Sequence, residues 1–145
     1  MDKKWIGYQL PESELAVERG RLRFFAKVIG ETDPVYTEIE AARAAGYRDL
    51  PAPPTFLFAA ELDSGTVNAL LDTLEIPVEK LLHAEQGFTY HKPVCAGDRI
   101  TVRSRIAEIY EKKGGALEFA LTTSQASNDN GELVAEMRTL LVCRN

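Results

Sequence analysis

Apolar residues change their spacing along this chain, from every third or fourth position in the first half to every second position in the last third. Around Val17, Arg21, Phe24, Phe25, Val28 and Ile29 they recur at helical spacing. Glu18 near the start and Gly30 just past the end suit a helix dipole and a C-terminal stop. Asp33-Pro34 then forces an extended or turn conformation. A short Ala-rich helix is predicted over residues 38–45, stopped by Gly46. Pro51, Pro53 and Pro54 make a stiff entry to the apolar run 55–60. A buried helix is expected to start near Pro54, because proline's missing N–H has no intrahelical partner in a first turn. Residues 65–82 look like a further helical insertion, with Leu70, Leu71, Leu74, Leu81 and Leu82 on its apolar face.

After His83 the period falls to two. Phe88, Tyr90 and Lys92 alternate with Thr89 and His91, and Gly97-Asp98 turns the chain. Ile100, Val102, Ser104 and Ile106 alternate with Thr101, Arg103 and Arg105. Lys113-Gly114-Gly115 signals a hairpin, and Leu117, Phe119, Leu121 and Thr123 continue on one face. A turn over 128–131 leads into a final strand over 133–143. Long antiparallel strands around one buried helix make an α+β domain, and residues 1–145 are read as one domain.

Composition narrows the function classes. With 45% apolar and 27% charged residues the chain is of the globular kind. A net charge of −5 with scattered Lys and Arg argues against nucleic acid as a partner. No apolar run reaches the roughly twenty residues of a membrane span, and no apolar signal core follows the N-terminus, so a cytoplasmic protein is expected. Cys95 and Cys143 lack metal-ligand spacing and are read as two buried or half-buried thiols. No metal or nucleotide motif is present, and no cofactor is expected.

Two stretches carry a family resemblance. The segment 24–36, from Phe24 through Gly30, Glu31, Asp33 and Pro34 to Tyr36, followed by Ala41, Ala42 and Gly46, resembles the hydratase motif of the MaoC-like hydratase/dehydratases. The segment 88–98, with Lys92-Pro93-Val94 before Gly97-Asp98, is similar to a strand and turn of the same family, and Gly131-Glu132-Leu133-Val134 extends the match. Within this MaoC-like / FAS1-like dehydratase family the chain most resembles the first subunit of mycobacterial 3-hydroxyacyl carrier-protein dehydratases and the N-terminal half of longer MaoC-like proteins. The resemblance implies a hot-dog fold, a long antiparallel sheet wrapped around a central helix. It also implies a homodimer or a heterodimer with a second MaoC-like subunit, and an acyl-CoA or acyl carrier-protein thioester as ligand in a tunnel near the interface.

The chemistry so implied is addition of water to a 2,3-enoyl thioester, or its reverse. A carboxylate and an imidazole move the proton, and a backbone N–H stabilises charge on the thioester oxygen. Here the motif's Asp, Asn and His positions hold Glu31, Asp33 and Tyr36, and its His-Gly pair becomes Pro53-Pro54. A proline has no N–H to donate, and a tyrosine with a pKa of about 10 shuttles protons poorly at neutral pH. Glu31, Asp33, Tyr36 and His91 are therefore the catalytic candidates, and Pro54, Thr55, Phe56 and Phe88 the substrate-binding ones. Each has a plainer role open to it: Glu31 and Asp33 as acceptors in a turn, Tyr36 as an anchor, Phe56 and Phe88 as core, His91 facing outwards. Asp98 is read as holding its turn and Cys95 as a small core residue. Three functions remain: a subunit working beside a catalytic hot-dog partner, a self-sufficient homodimeric hydratase with a rearranged site, and an acyl-thioester binder or thioesterase using Glu61 or Asp63.

Overall fold

The computed structural model describes residues 1–145. Its strands are β1 (Ser13–Ala16), β2 (Leu81–Tyr90), β3 (Arg99–Lys112), β4 (Leu117–Asn128) and β5 (Leu133–Arg144). Its helices are α1 (Arg19–Val28), α2 (Ile39–Ala44), α3 (Phe58–Asp63) and α4 (Thr66–Thr73). The strands form one antiparallel sheet in the order β1-β3-β4-β5-β2. The strand that leaves the helical half thus crosses to the far edge, and its outer side has no neighbour. Helices and an antiparallel sheet make the expected α+β architecture, with α3 packed on the inner face.

Alternation builds the middle strands. Ile100, Val102, Ser104 and Ile106 of β3 are buried while Arg103 and Arg105 between them are exposed. A register shift between Ile106 and Glu108 re-phases the strand, and Ile109 turns inward after it. The hairpin at 113–115 runs through positive φ at Lys113, Gly114 and Gly115, the last at 88°, which glycine adopts without steric cost.

The structure adds to or departs from the sequence pattern at four places. In α1 the buried residues are Leu22 and Ala26, whereas Phe24, Val28 and Ile29 are exposed. Both stripes satisfy helical spacing, and the inner one is made of smaller side chains that sit close to the core. The helix expected from Pro54 begins at Phe58, because Thr55 takes a left-handed φ of 78° and residues 54–57 form turns instead. The insertion expected over 65–82 is helical only to Thr73 in α4, with a further 3-10 turn at Val78–Lys80, and Leu81 and Leu82 open β2. The short edge strand β1 had no counterpart in the sequence reading.

The core is divided. One apolar cluster gathers Leu22, Leu50, Phe56, Leu57, Val102 and Met137. A second gathers Leu70, Leu71, Ile106, Ala120, Leu141 and Cys143. Between them a polar belt crosses the inner face of the sheet. Ser104 faces Ser124, and Thr122, Thr139 and Gln86 follow one another in register across β4, β5 and β2. Glu61 of α3 descends onto this belt, and its Oε1 accepts from Ser104 Oγ and Ser124 Oγ, each at 2.6 Å. Two charged pairs fasten α1 to its surroundings: Arg19 with Asp49, through bonds of 2.9 and 2.6 Å, and Arg21 with Asp63 of α3.

Candidate functional site

The best-formed concavity beside the altered motif is a cleft of about 310 Å³. Three pieces of chain wall it. One is the 3-10 turn Pro34–Tyr36, which brings Tyr36 to the cleft, with Tyr47 beside it. The second is the proline segment 51–54, fixed where Pro51 bridges Cys95 and where Ala52 N–H donates to the Val94 carbonyl at 2.7 Å. The third is the end of β2 and its continuation, Tyr90 to Val94. Asp98 holds the base of that third wall, accepting from Cys95 N–H at 2.9 Å and pairing with Arg48. Cys95 is buried, and burial pushes its thiol pKa up.

The candidates of the altered motif separate here. Glu31 Oε1 accepts the N–H groups of Thr32 and Asp33 at 2.8 and 2.9 Å, and Asp33 Oδ1 accepts from Val35 N–H at 3.0 Å. Both carboxylates are thus engaged within their own turn, and neither lines the cleft. Tyr36 does line it. Burial, with the nearby charge of Glu31, raises its pKa above the usual 10 and makes it a weaker proton carrier still. His91 lies on the rim, exposed, with Nε2 2.9 Å from Glu136 Oε2 on β5. Lys92 pairs with Glu132.

Of the substrate-binding candidates, Pro54 lines the cleft. Phe56 is 1% exposed and packs edge-on against Phe25 at 5.3 Å, inside the first cluster. Phe88 packs against the same cluster and stacks on Tyr90 at 5.8 Å. Neither ring lines the cleft. Thr55 supplies something that the proline pair hides in the sequence. Thr55 does not itself line the cleft, but from its left-handed backbone its N–H donates at 2.8 Å to the hydroxyl of Tyr90, which does. The donor absent from Pro54 is therefore present one residue later, and the hydroxyl of Tyr90 occupies it. Burial raises the pKa of Tyr90, and the bond from Thr55 offsets part of that. Tyr47, Tyr90 and Thr55 N–H were not singled out from the sequence as a group. Only the alternation of Phe88 with Tyr90 hinted that the two share one face of the strand. Glu61, proposed for a thioesterase, sits in the polar belt and borders a different cavity, while Asp63 pairs with Arg21.

The family model described as FAS1-like, dehydratase domain region matches residues 4–137. The chain belongs to that family. Among its relatives, a UPF0336 protein of Streptomyces avermitilis is 35% identical over 145 residues, covering 99% of this chain and 95% of that protein. A UPF0336 protein of Parafrankia sp. is 40% identical over 128 residues, covering 88% and 83%. Among solved structures, this FAS1-like dehydratase domain is similar to a chain of the C-terminally truncated HadBC (3R-hydroxyacyl-ACP dehydratase) complex of Mycobacterium tuberculosis, with a TM-score of 0.83, 29% identity and 98% of both chains covered. A MaoC-like dehydratase superposes with a TM-score of 0.86 at 21% identity, over 97% of this chain and 42% of that one. The fold is the hot-dog fold of these dehydratases and hydratases, and no helix is long and apolar enough to cross a membrane.

Proposed function

We propose that this FAS1-like dehydratase domain is the non-catalytic subunit of a 3-hydroxyacyl thioester dehydratase, binding the acyl thioester while a second hot-dog subunit supplies the proton-transfer pair. One observation carries the reading: no Asp or Glu is among the residues lining the cleft. The carboxylates that the motif brings to this region are held by N–H groups of their own turn. A hydration of the enoyl thioester needs a base to take a proton from water and an acid to deliver one to carbon. Tyr36, with its raised pKa, serves neither step well at neutral pH. The HadBC likeness supports a paired arrangement, since that structure is named as a complex. The free outer edge of β2, ten residues long, offers a place for a second sheet to join.

The test is hydration of crotonyl-CoA and longer enoyl-CoA esters by the purified chain, followed by loss of the enoyl thioester absorbance. No turnover is expected at any chain length from a folded sample. Adding the partner should restore it, and Glu31→Gln or Asp33→Asn in this chain should leave the activity of the pair nearly unchanged. Turnover by the chain alone, lost in His91→Ala, would favour a self-sufficient enzyme instead. One observation favours that second reading: His91 on the cleft rim is already hydrogen-bonded to a carboxylate, Glu136.

A further inference from the structure

Glu61 borders a second cavity, of about 100 Å³, which shares no lining residue with the Tyr36–Tyr90 cleft. Its walls are mostly apolar, with Phe58, Leu70 and Leu141 among them, and its polar members are Glu61, Thr122, Thr139, His83 and Thr66, the last already bonded to Ser13 and to the Pro11 carbonyl. Glu61 is only 4% exposed. Both serine hydroxyls donate to the same oxygen, Oε1, and Oε2 receives no hydrogen bond from the chain. Nor is Oε2 sealed among packed atoms, because the one sealed side-chain atom without a partner is Gln86 Nε2. A buried carboxyl oxygen therefore faces the cavity with its acceptor capacity unspent. That oxygen is open to a donor that a ligand brings in place of water.

The belt beside it holds a sealed donor that has no partner. Gln86 Oε1 accepts from Thr139 Oγ1 at 2.8 Å and lies 3.1 Å from His83 Nε2, while the amide nitrogen of Gln86 has no partner. Exchanging the two ends of the amide only moves the deficit to the oxygen. At the rim, Leu62 and His83 are exposed, so the cavity has a way in past side chains.

We infer that this cavity binds a small aliphatic molecule, or the end of a chain, that carries a hydroxyl group. The hydroxyl donates to Glu61 Oε2 and accepts from the Thr122 hydroxyl, and the alkyl part lies against Phe58, Leu70 and Leu141. A cavity of about 150 Å³ accommodates benzene, so about 100 Å³ suits a ligand of four or five heavy atoms. The site is separate from the cleft of the proposed function and uses none of its residues.

The matched probes are 1-butanol and its isomer 1-methoxypropane, equal in size but only the first able to donate. Each is titrated into the full chain and followed by the methyl NMR signals of Leu70, Leu141 and Thr122. The alcohol should shift these signals with an affinity about fivefold higher than the ether, the worth of one modest hydrogen bond. In Glu61→Gln the serines keep an acceptor, but the atom facing the cavity becomes a donor, and the alcohol's advantage should vanish or reverse. Val67→Phe, which fills the cavity and leaves every residue of the belt in place, should abolish the shifts for both probes. Equal affinity for the two isomers in the native chain, shifts located elsewhere, or no shifts with either probe would each overturn the inference, the last meaning that water alone occupies the cavity. If Glu61→Gln does not fold, the two isomers and Val67→Phe still decide. Neither probe carries a thioester, so the result does not depend on the fate of the dehydratase reading.

Discussion

At the scale of single residues, the cleft is governed by backbone geometry as much as by side-chain chemistry. Thr55, a β-branched residue, holds a φ of 78° that glycine would adopt freely. Such a conformation costs on the order of 1–2 kcal/mol in a non-glycine residue. Thr55→Gly should therefore raise stability by about 1 kcal/mol, the gain being reduced by glycine's greater chain entropy when unfolded. A urea midpoint that rises with an unchanged slope would show it, and a fall would mean that the threonine side chain contributes more than its backbone costs. Asp49 makes a pH-dependent contribution. Its bond to Arg19, with help from Leu50 N–H, lowers its pKa from 3.8 to about 2. A carboxyl whose folded pKa is depressed stabilises the fold above its unfolded value, and loses that contribution as pH falls through the folded one. Asp49→Asn should thus cost at most about 1 kcal/mol near neutrality, because the pair is partly solvated. The difference from the native chain should shrink between about pH 4 and pH 2, as read from urea midpoints across that range.

At the scale of elements, the joint between α3 and the sheet is the least ordinary part of the fold. Ser104 and Ser124 turn their hydroxyls to Glu61 inside the protein, where an unmade bond is expensive. Glu61→Leu alone should cost roughly 2–4 kcal/mol, since two hydroxyls lose their acceptor. Adding Ser104→Ala and Ser124→Ala should recover most of that loss, which thermal unfolding of the three variants would measure. This joint was not legible in the sequence. Glu61 lies 43 and 63 positions from its partners, and no local pattern links them. Strands β3 to β5 were legible, because one of their faces is buried and the alternation records it. The start of β2 was not: Leu82, His83, Ala84 and Glu85 are all exposed, so the strand has no two-sided pattern, and Leu81 and Leu82 continued the leucine spacing of the helix before it. The altered motif was legible residue by residue. That Glu31 and Asp33 are spent within their turn, and that Thr55 supplies the N–H, needed the three-dimensional chain.

At the scale of the whole molecule, the sheet ends in two unlike edges. β1 is four residues long and follows Pro11, whereas β2 is ten residues long and contains no proline. A long uncovered edge invites another strand. Ala84 lies at the register shift between His83 and Glu85, outside the ladder to β5. A proline is tolerated at such bulges, so Ala84→Pro should keep the native circular dichroism. If the second subunit joins along β2, the same variant should weaken assembly, seen as a lower mass in sedimentation at equal concentration. An unchanged mass would put the joint elsewhere, for instance on the exposed apolar stripe of α1 formed by Phe24 and Val28.

The divided core has a dynamic consequence. Cooperative unfolding depends on apolar groups sharing neighbours, and here the two clusters meet across a belt of hydroxyls, an amide and a carboxyl. The half that holds α4, with Leu70, Leu71, Leu74 and Ile76, should open to solvent more readily than the half around Phe56. Amide protons of α4 would then exchange through a partial opening, ahead of those of the strands that run through both halves. Such a breathing region would include Leu70 in the wall of the cavity that Glu61 overlooks.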